Sequence, residues 1–441
     1  MLINKKKYIS TILLIFIFAV FLTKFPPFYF IPVTIKIFSS HSMAKFIIVS
    51  SFILFLTINY QRVLELIEQG KTIFILIGLY LSGVTLSSIA AHDLSLFYKS
   101  YHNIIIGLII FMLAYFLISK NNLKSINLFI VLSALIFISF ELILYITDSS
   151  IFNYLSNIIQ AEVFDTYLMN QSRHRFALNN HLELFFPLLF YALISNQHSK
   201  IRNIILFLGL ISLIFLTVIA NSRSRFLSLA FAIVFVFFLN LKYKYLNIQI
   251  FNKINKLIMT IVIGLTLFLL ALIQYKPYII VDRILLSEDY VDYLTINSRI
   301  QAAEQSVEYF ISSPIMGIGL GNYIDNRRFS LKYQQNVPQF QLNFANLSRM
   351  SPHNVFFQYL SETGLIGTLP FIIIICYFIK ADINYMIQIK RNNLTENSLI
   401  ILSFIIASWT LFIHGVFNPF ITVFITGWFW FLRGVIERCN A

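Results

Sequence analysis

Apolar residues arrive along this chain in blocks of roughly 18–20, the length that crosses a bilayer. The blocks fall at 8–23, 44–59, 72–91, 102–119, 125–147, 182–196, 203–220, 225–241, 257–275, 354–379, 397–413 and 418–435. One of them, 182–196, is short. Another apolar stretch, 25–38, is interrupted by Pro26, Pro27 and Pro32 and predicts a re-entrant or interfacial piece. The pattern predicts an all-α, polytopic membrane protein of about 12 transmembrane helices. A closed barrel would show short alternating segments, and the chain has none. Three regions follow: 1–275 as an N-terminal bundle of about nine helices, 276–353 as one long loop between helices 9 and 10, and 354–441 as the C-terminal helices with a short tail.

Composition agrees, with 58% hydrophobic and 12% charged residues over 441 positions. The formal net charge of +14 would suggest nucleic acid in a soluble protein. Here it sits in short loops, where lysine orients membrane helices. With the N-terminus inside, the inner segments hold Lys5, Lys6, Lys7, Arg62, Lys71, Lys120, Lys124, Lys380, Lys390, Arg433 and Arg438, among others. Both termini are then cytoplasmic, and 276–353 faces outward. The block behind Lys5–Lys7 has the charge pattern of a signal peptide, but no small-residue cleavage site follows, so it reads as the first span. Cys376 and Cys439 suggest neither a disulfide nor a metal cluster.

The basic residues of the outward segments are mostly arginines: Arg173, Arg175, Arg223, Arg225, Arg283, Arg299, Arg327, Arg328 and Arg349. Topology needs only positive charge, whereas the guanidinium fork binds phosphate or carboxylate in a bidentate manner. Pairing with loop acids such as Asp282 would also account for any one of them. Within the loop, "SRIQAAEQSVEYFI" predicts an amphipathic helix with Ile300, Ala303, Val307, Phe310 and Ile311 on one face. Ser298 and Gln301 fit a capping box at its start. That places Arg299 on the first turn, where free N–H groups and a guanidinium would together attract an anion. The helix stops at Pro314, and "PIMGIGLGNY" reads as a tight glycine-rich turn. It is not a nucleotide loop, because it follows a helix rather than a strand.

The stretch "SPHNVFFQYLSETGLIG" returns the chain to the bilayer. His353 lies at the start of an outward helix end, where the dipole disfavours the imidazolium and leaves a neutral proton acceptor. Position alone fits an interfacial histidine equally well. Glu362 lies deeper and needs a partner there. It reads as a structural group bonded to an inward arginine or to backbone. Asn179, Asn180, His181, Glu183, Asn322, His414 and Asn418 are further polar residues at outer edges. Buried ionisable residues otherwise reduce to Glu141, which puts the polar weight on one face.

Three motifs in order, "NSRSRFLSLA" at 221–230, "NSRIQAAEQSVEYFISSPIMGIGLGNY" at 297–323 and "HNVFFQYLSETGLIG" at 353–367, resemble the O-antigen ligase and O-antigen polymerase superfamily of Wzy_C-type membrane glycosyltransferases. The resemblance spans about 205–380 and is topological before that. It implies an enzyme of the bacterial inner membrane, with its active site facing the periplasm. The donor it implies is a glycan on undecaprenyl diphosphate. The acceptor would be lipid A–core in a ligase, a carrier-linked glycan in a polymerase, or a protein hydroxyl in an O-oligosaccharyltransferase. The reaction in the ligases implies inversion, without metal or other cofactor.

Carried over residue by residue, the resemblance implies catalytic roles for Arg223, Arg299 and His353. Asn354 follows as a substrate-binding residue, with Arg225, Arg175, Asn322 and Glu362 as weaker candidates of the same kind. Arg225 departs from the usual pattern, which has a small or apolar residue there, so either arginine of that pair could meet the substrate. The expected partners are the lipid-linked glycan, its glycan acceptor and membrane lipids, and no nucleic acid. The complete arginine and His-Asn pattern favours the ligase over the polymerase, and both over a polysaccharide or lipid transporter, which would show related halves and midplane charges.

Overall fold

The computed structural model describes residues 40–146, 182–194, 200–219, 223–242, 290–325, 352, 354–392, 395–417 and 423–440. Every regular element among them is helical. In chain order these are α1 Ser40–Ile58, α2 Tyr60–Gln69, α3 Lys71–Leu86, α4 Leu94–Leu117, α5 Leu123–Ile146, α6 Phe185–Ile194, α7 Lys200–Ile219, α8 Arg223–Lys242, α9 Tyr290–Ser312, α10 Val355–Asn392, α11 Glu396–Val416 and α12 Val423–Asn440. Short 3₁₀ turns at Ser87–Ala90, Leu182–Leu184 and Asn322–Asp325 join some of them.

Four segments, Lys71–Ala90, Leu94–Leu117, Val355–Ile389 and Glu396–Val416, are long and apolar enough to cross a membrane, or five if α1 and α2 count as one bent span. The other described helices within the apolar blocks are shorter in apolar length. Both 8–23 and 257–275 lie outside the described residues, as does the proline-broken 25–38. The boundary between 44–59 and its loop is more abrupt than the pattern suggests. Helix α2 turns away from α1 by 99°. It buries Val63 and Leu66 and carries Arg62, Glu65 and Glu68 along its length, as a helix lying at a membrane surface does.

Helices from both sides of the long loop share one core. Helix α12 packs along α4, α10 along α3, and α11 against α8 and α12. On α12, Gly434 sits where a Cβ would strike the Phe111 carbonyl, and Gly427 faces Ile110. These small residues set the close approach of α12 to α4. The outward surfaces of α1, α3 and α7 expose Phe46, Leu79 and Ile201, as a lipid-facing surface should.

One inner-end feature corrects the sequence reading. Arg433 is not a loop cation but is wholly buried, and its guanidinium donates to both Asp382 carboxylate oxygens at 2.8 Å each. Trp409 Nε1 donates to the same carboxylate at 2.6 Å. The Trp409 and Phe378 rings lie 4.6 and 4.8 Å from the guanidinium carbon. Glu183, Arg225, His414 and Glu437 are buried as well, so the buried ionisable groups are neither few nor confined to one end of the bundle. Removing one partner of such a pair leaves an uncompensated charge, at a cost of about 3–5 kcal/mol. Asp382→Ala is therefore expected to lower the thermal midpoint and the accumulated protein sharply. The double change Asp382→Leu with Arg433→Met should recover most of the loss. Thermal unfolding in detergent checks both.

Candidate active site

The site is built where the glycine-rich turn meets α10. That helix is not continuous: Gly364 has φ 56° and ψ −158°, a conformation essentially reserved for glycine. The break would orphan carbonyls before it and N–H groups after it. The turn satisfies both sets. Ile318 N–H donates to Ser361 O and Gly319 N–H to Glu362 O, each at 2.9 Å. In the other direction Leu365 N–H donates to Pro314 O at 2.9 Å and Ile366 N–H to Ile315 O at 3.1 Å. A Cβ on Gly364 would collide with the Ile315 carbonyl, and one on Gly317 with the Glu362 backbone. The "SPIMGIGLG" and "SETGLIG" motifs are thus two halves of one lock, and tight packing explains the glycines.

Several assigned residues serve this lock. The side-chain oxygen of Asn322 accepts from Asp93 N–H at 2.7 Å, and its amide nitrogen donates to Asp93 O at 3.2 Å and Leu320 O at 3.3 Å. It ties the turn to the start of α4. Asp93 itself caps α4 by accepting from Ser95 and Leu96 N–H, and the Ser95 bonds hold its carboxyl below the usual carboxylate range. Glu362 is fully buried inside the lock. The Gly321 and Tyr323 backbone and the Gln358 side chain surround its carboxylate, although neither oxygen makes a hydrogen bond of good geometry. Its surroundings are backbone and amide groups, one of the two structural roles expected of it.

Arg299 stands elsewhere than the capping-box reading placed it. Helix α9 is already formed at Tyr290 and continues to Ser312, so Arg299 lies in its interior and the helix-start anion site does not exist there. Ser298 and Gln301 fall within an established helix, where a capping pattern has no orphan groups to satisfy. The buried face of α9 is also not the expected stripe. Ala302, Ser306 and Tyr309 face inward, while Ile300, Val307 and Ile311 are exposed. Tyr323 decides this: its ring packs edge-on against Tyr309 at 5.6 Å, and its hydroxyl donates to Ala302 O at 2.8 Å.

At the end of α10 that the charge asymmetry places outside, the Asn354 side-chain oxygen accepts from Phe356 N–H at 2.9 Å and Phe357 N–H at 3.2 Å. Asn354 is the N-cap of α10, and His353 immediately precedes it. An asparagine cap contributes about 0.5–2 kcal/mol over alanine. Asn354→Asp, which retains the cap, is expected to keep the thermal midpoint of the parent, while Asn354→Ala should lower it, as thermal unfolding in detergent would show. An alanine variant as stable as the parent would contradict the capping role.

A second polar centre adjoins it. Phe356 packs edge-on against Phe412, 6.0 Å between centroids, which brings the start of α10 beside the end of α11. There the His414 Nδ1 lies 3.0 Å from Glu183 Oε1, with both side chains buried. Helix α8 packs against both α11 and the 3₁₀ turn that carries Glu183. Its Arg225 is only 8% exposed, so that side chain is turned into the protein. The backbone of Arg223 opens α8, and its side chain lies outside the described residues. So do His353, Arg175, Asn179, Asn180, His181 and Asn418. The Glu183–His414 pair joins residues 231 positions apart, and no local spacing signals it.

These observations define an all-helical membrane protein with a glycine-locked break in α10 and a buried Glu183–His414 pair beside the start of that helix. Residues 207–372 match the O-antigen ligase family model. The matched region runs from α7 through α8 and α9 to the second half of α10 and includes all three motifs. That stretch is similar to the O-antigen ligase family over rather more than a third of the chain. A comparison of the whole chain with curated proteins finds no match.

Proposed function

We propose that the protein is an O-antigen ligase-type transferase of the bacterial inner membrane. It moves a glycan from undecaprenyl diphosphate to a lipid A–core hydroxyl on the periplasmic face. The family match over 207–372 carries this reading, because it covers both catalytic arginines and the His-Asn entrance together. His353 takes the proton of the acceptor hydroxyl, and the freed oxygen attacks the anomeric carbon. The bond from that carbon to the diphosphate breaks, and its electron pair leaves with the carrier. Arg223 and Arg299 neutralise the departing diphosphate. Attack opposite the leaving group inverts the centre. The assignment of Arg299 rests on the resemblance, since its helix-start position has been lost.

A polymerase would use the same donor with a carrier-linked glycan as acceptor. The lipopolysaccharide ladder of a deletion strain separates the two. Lipid A–core without O-antigen, together with accumulated carrier-linked polymer, is the result expected here. Core bearing a single repeat would assign the chain to polymerisation instead, and an unchanged ladder would remove both.

A further inference from the structure

The glycine lock also fixes a depth. Helix α3 with its closing turn, Lys71–Ala90, is one of the segments able to cross the bilayer, and Lys71 lies at the end that the lysine distribution places inside. A Cβ on Gly83 would strike the Ile366 carbonyl, and one on Gly319 the Ala91 backbone. Ile366 is therefore level with Gly83, about 18 Å along α3 from Lys71. Ala91 is level with the outer end of the same span, about 30 Å along, which is the thickness of the hydrocarbon. The Ile366 N–H donates to Ile315 O. The start of the glycine turn is thus held about 10 Å inside the outer end of α3. It descends into the bilayer.

The residues at that depth fit hydrocarbon. No charged residue falls between Glu308 and Asp325. Ile311 is 71% and Ile315 63% exposed, so the apolar side chains at the end of α9 point away from the protein. Their surface continues onto α10, since Leu365 N–H donates to Pro314 O and Leu365, Leu369 and Ile373 are exposed in turn. Those three belong to Val355–Ile389, itself a candidate span, whose exposed apolar side chains face lipid. Higher on the same exposed side of α9 stand Glu304 and Glu308. Carboxylates are costly within the hydrocarbon, so they belong on its water side. The change from glutamates to isoleucines along one helix face marks where that face crosses the membrane boundary.

We propose that the end of α9 and the glycine turn form a wedge in the outer leaflet, with Ile311 and Ile315 among the lipid acyl chains and Glu304 and Glu308 at the water boundary. The long outward loop is then anchored in the bilayer at its middle rather than suspended above it. The wedge depends on the membrane orientation and stands whether or not the transferase reading holds.

The test uses the full-length protein with Cys376→Ala and Cys439→Ala, reconstituted in phosphatidylcholine vesicles. An environment-sensitive fluorophore is attached at Ile311→Cys, Ile315→Cys, Glu304→Cys or, as the lipid-facing reference, Leu369→Cys. The labels at 311 and 315 should emit to the blue of the label at 304. Phosphatidylcholine with a nitroxide on its acyl chain should quench them several-fold more than aqueous iodide does, as at 369. The label at 304 should show the reverse preference. Both isoleucines are exposed, so each variant carries the test should the other fail to fold. Iodide quenching at 311 and 315 equal to that at 304 would place the helix in water. Protection from both quenchers would mean that protein covers this face. Either result would overturn the proposal.

Discussion

Replacing His353 by alanine is expected to remove most glycan transfer, by about 10²–10⁴-fold, the range that a positioned general base contributes. Carrier binding should survive, because the diphosphate is held by other groups. His353→Arg should fail as completely, since a permanent cation cannot accept a proton. The parent should lose activity as pH falls and imidazolium forms, near or below the ordinary histidine value of about 6.5. A helix N-terminus opposes the charged form and moves that limb downward. The position supports the assignment, since Asn354 caps α10 directly after it. Near-normal turnover of the alanine variant would move the base to His414, which already has Glu183 3.0 Å from its Nδ1 and so has a partner to orient it. Loss of carrier binding would recast His353 as a donor to the leaving group.

The second large effect concerns the leaving group. Arg223→Ala and Arg299→Ala are each expected to abolish detectable transfer while the protein still accumulates. Lysine at either position should rescue poorly, because a point charge does not reproduce the bidentate fork. Arg225 is the control. Its side chain is turned into the protein, beside Ser224 and Ser228, which are also buried. Arg225→Ala should therefore lower stability as well as activity, whereas Arg223→Ala should lower activity alone. Full activity in both lysine variants would reduce these arginines to a source of positive potential.

The parts of this architecture legible in the sequence are those set by local pattern. The apolar blocks mark the helices because a bilayer imposes their length, and the structure has helices at 71–86, 123–146 and 396–416 where blocks predict them. The glycine turn was legible as a tight loop. Its partner was not, because "GLIG" falls inside 354–379, which reads as one continuous span. The Gly364 backbone angles and the four backbone bonds from 314–319 reveal that α10 breaks there. Arg299 was misplaced because a capping pattern cannot show that the helix began nine residues earlier. Arg433 looked like a loop cation because its partner, Asp382, lies 51 residues away. The Glu183–His414 pair escaped for the same reason. Tertiary pairing, not propensity, decides where each of these charges sits.

The most direct measurement of the central claim is transfer by the purified, reconstituted protein. It would be supplied only with a glycan on undecaprenyl diphosphate and with lipid A–core. The account predicts glycosylated lipid A–core, free undecaprenyl diphosphate released in equal amount, and neither product from the Arg223→Ala and His353→Ala variants. Growth of the carrier-linked glycan with lipid A–core left unmodified, or equal product from those variants, would contradict it.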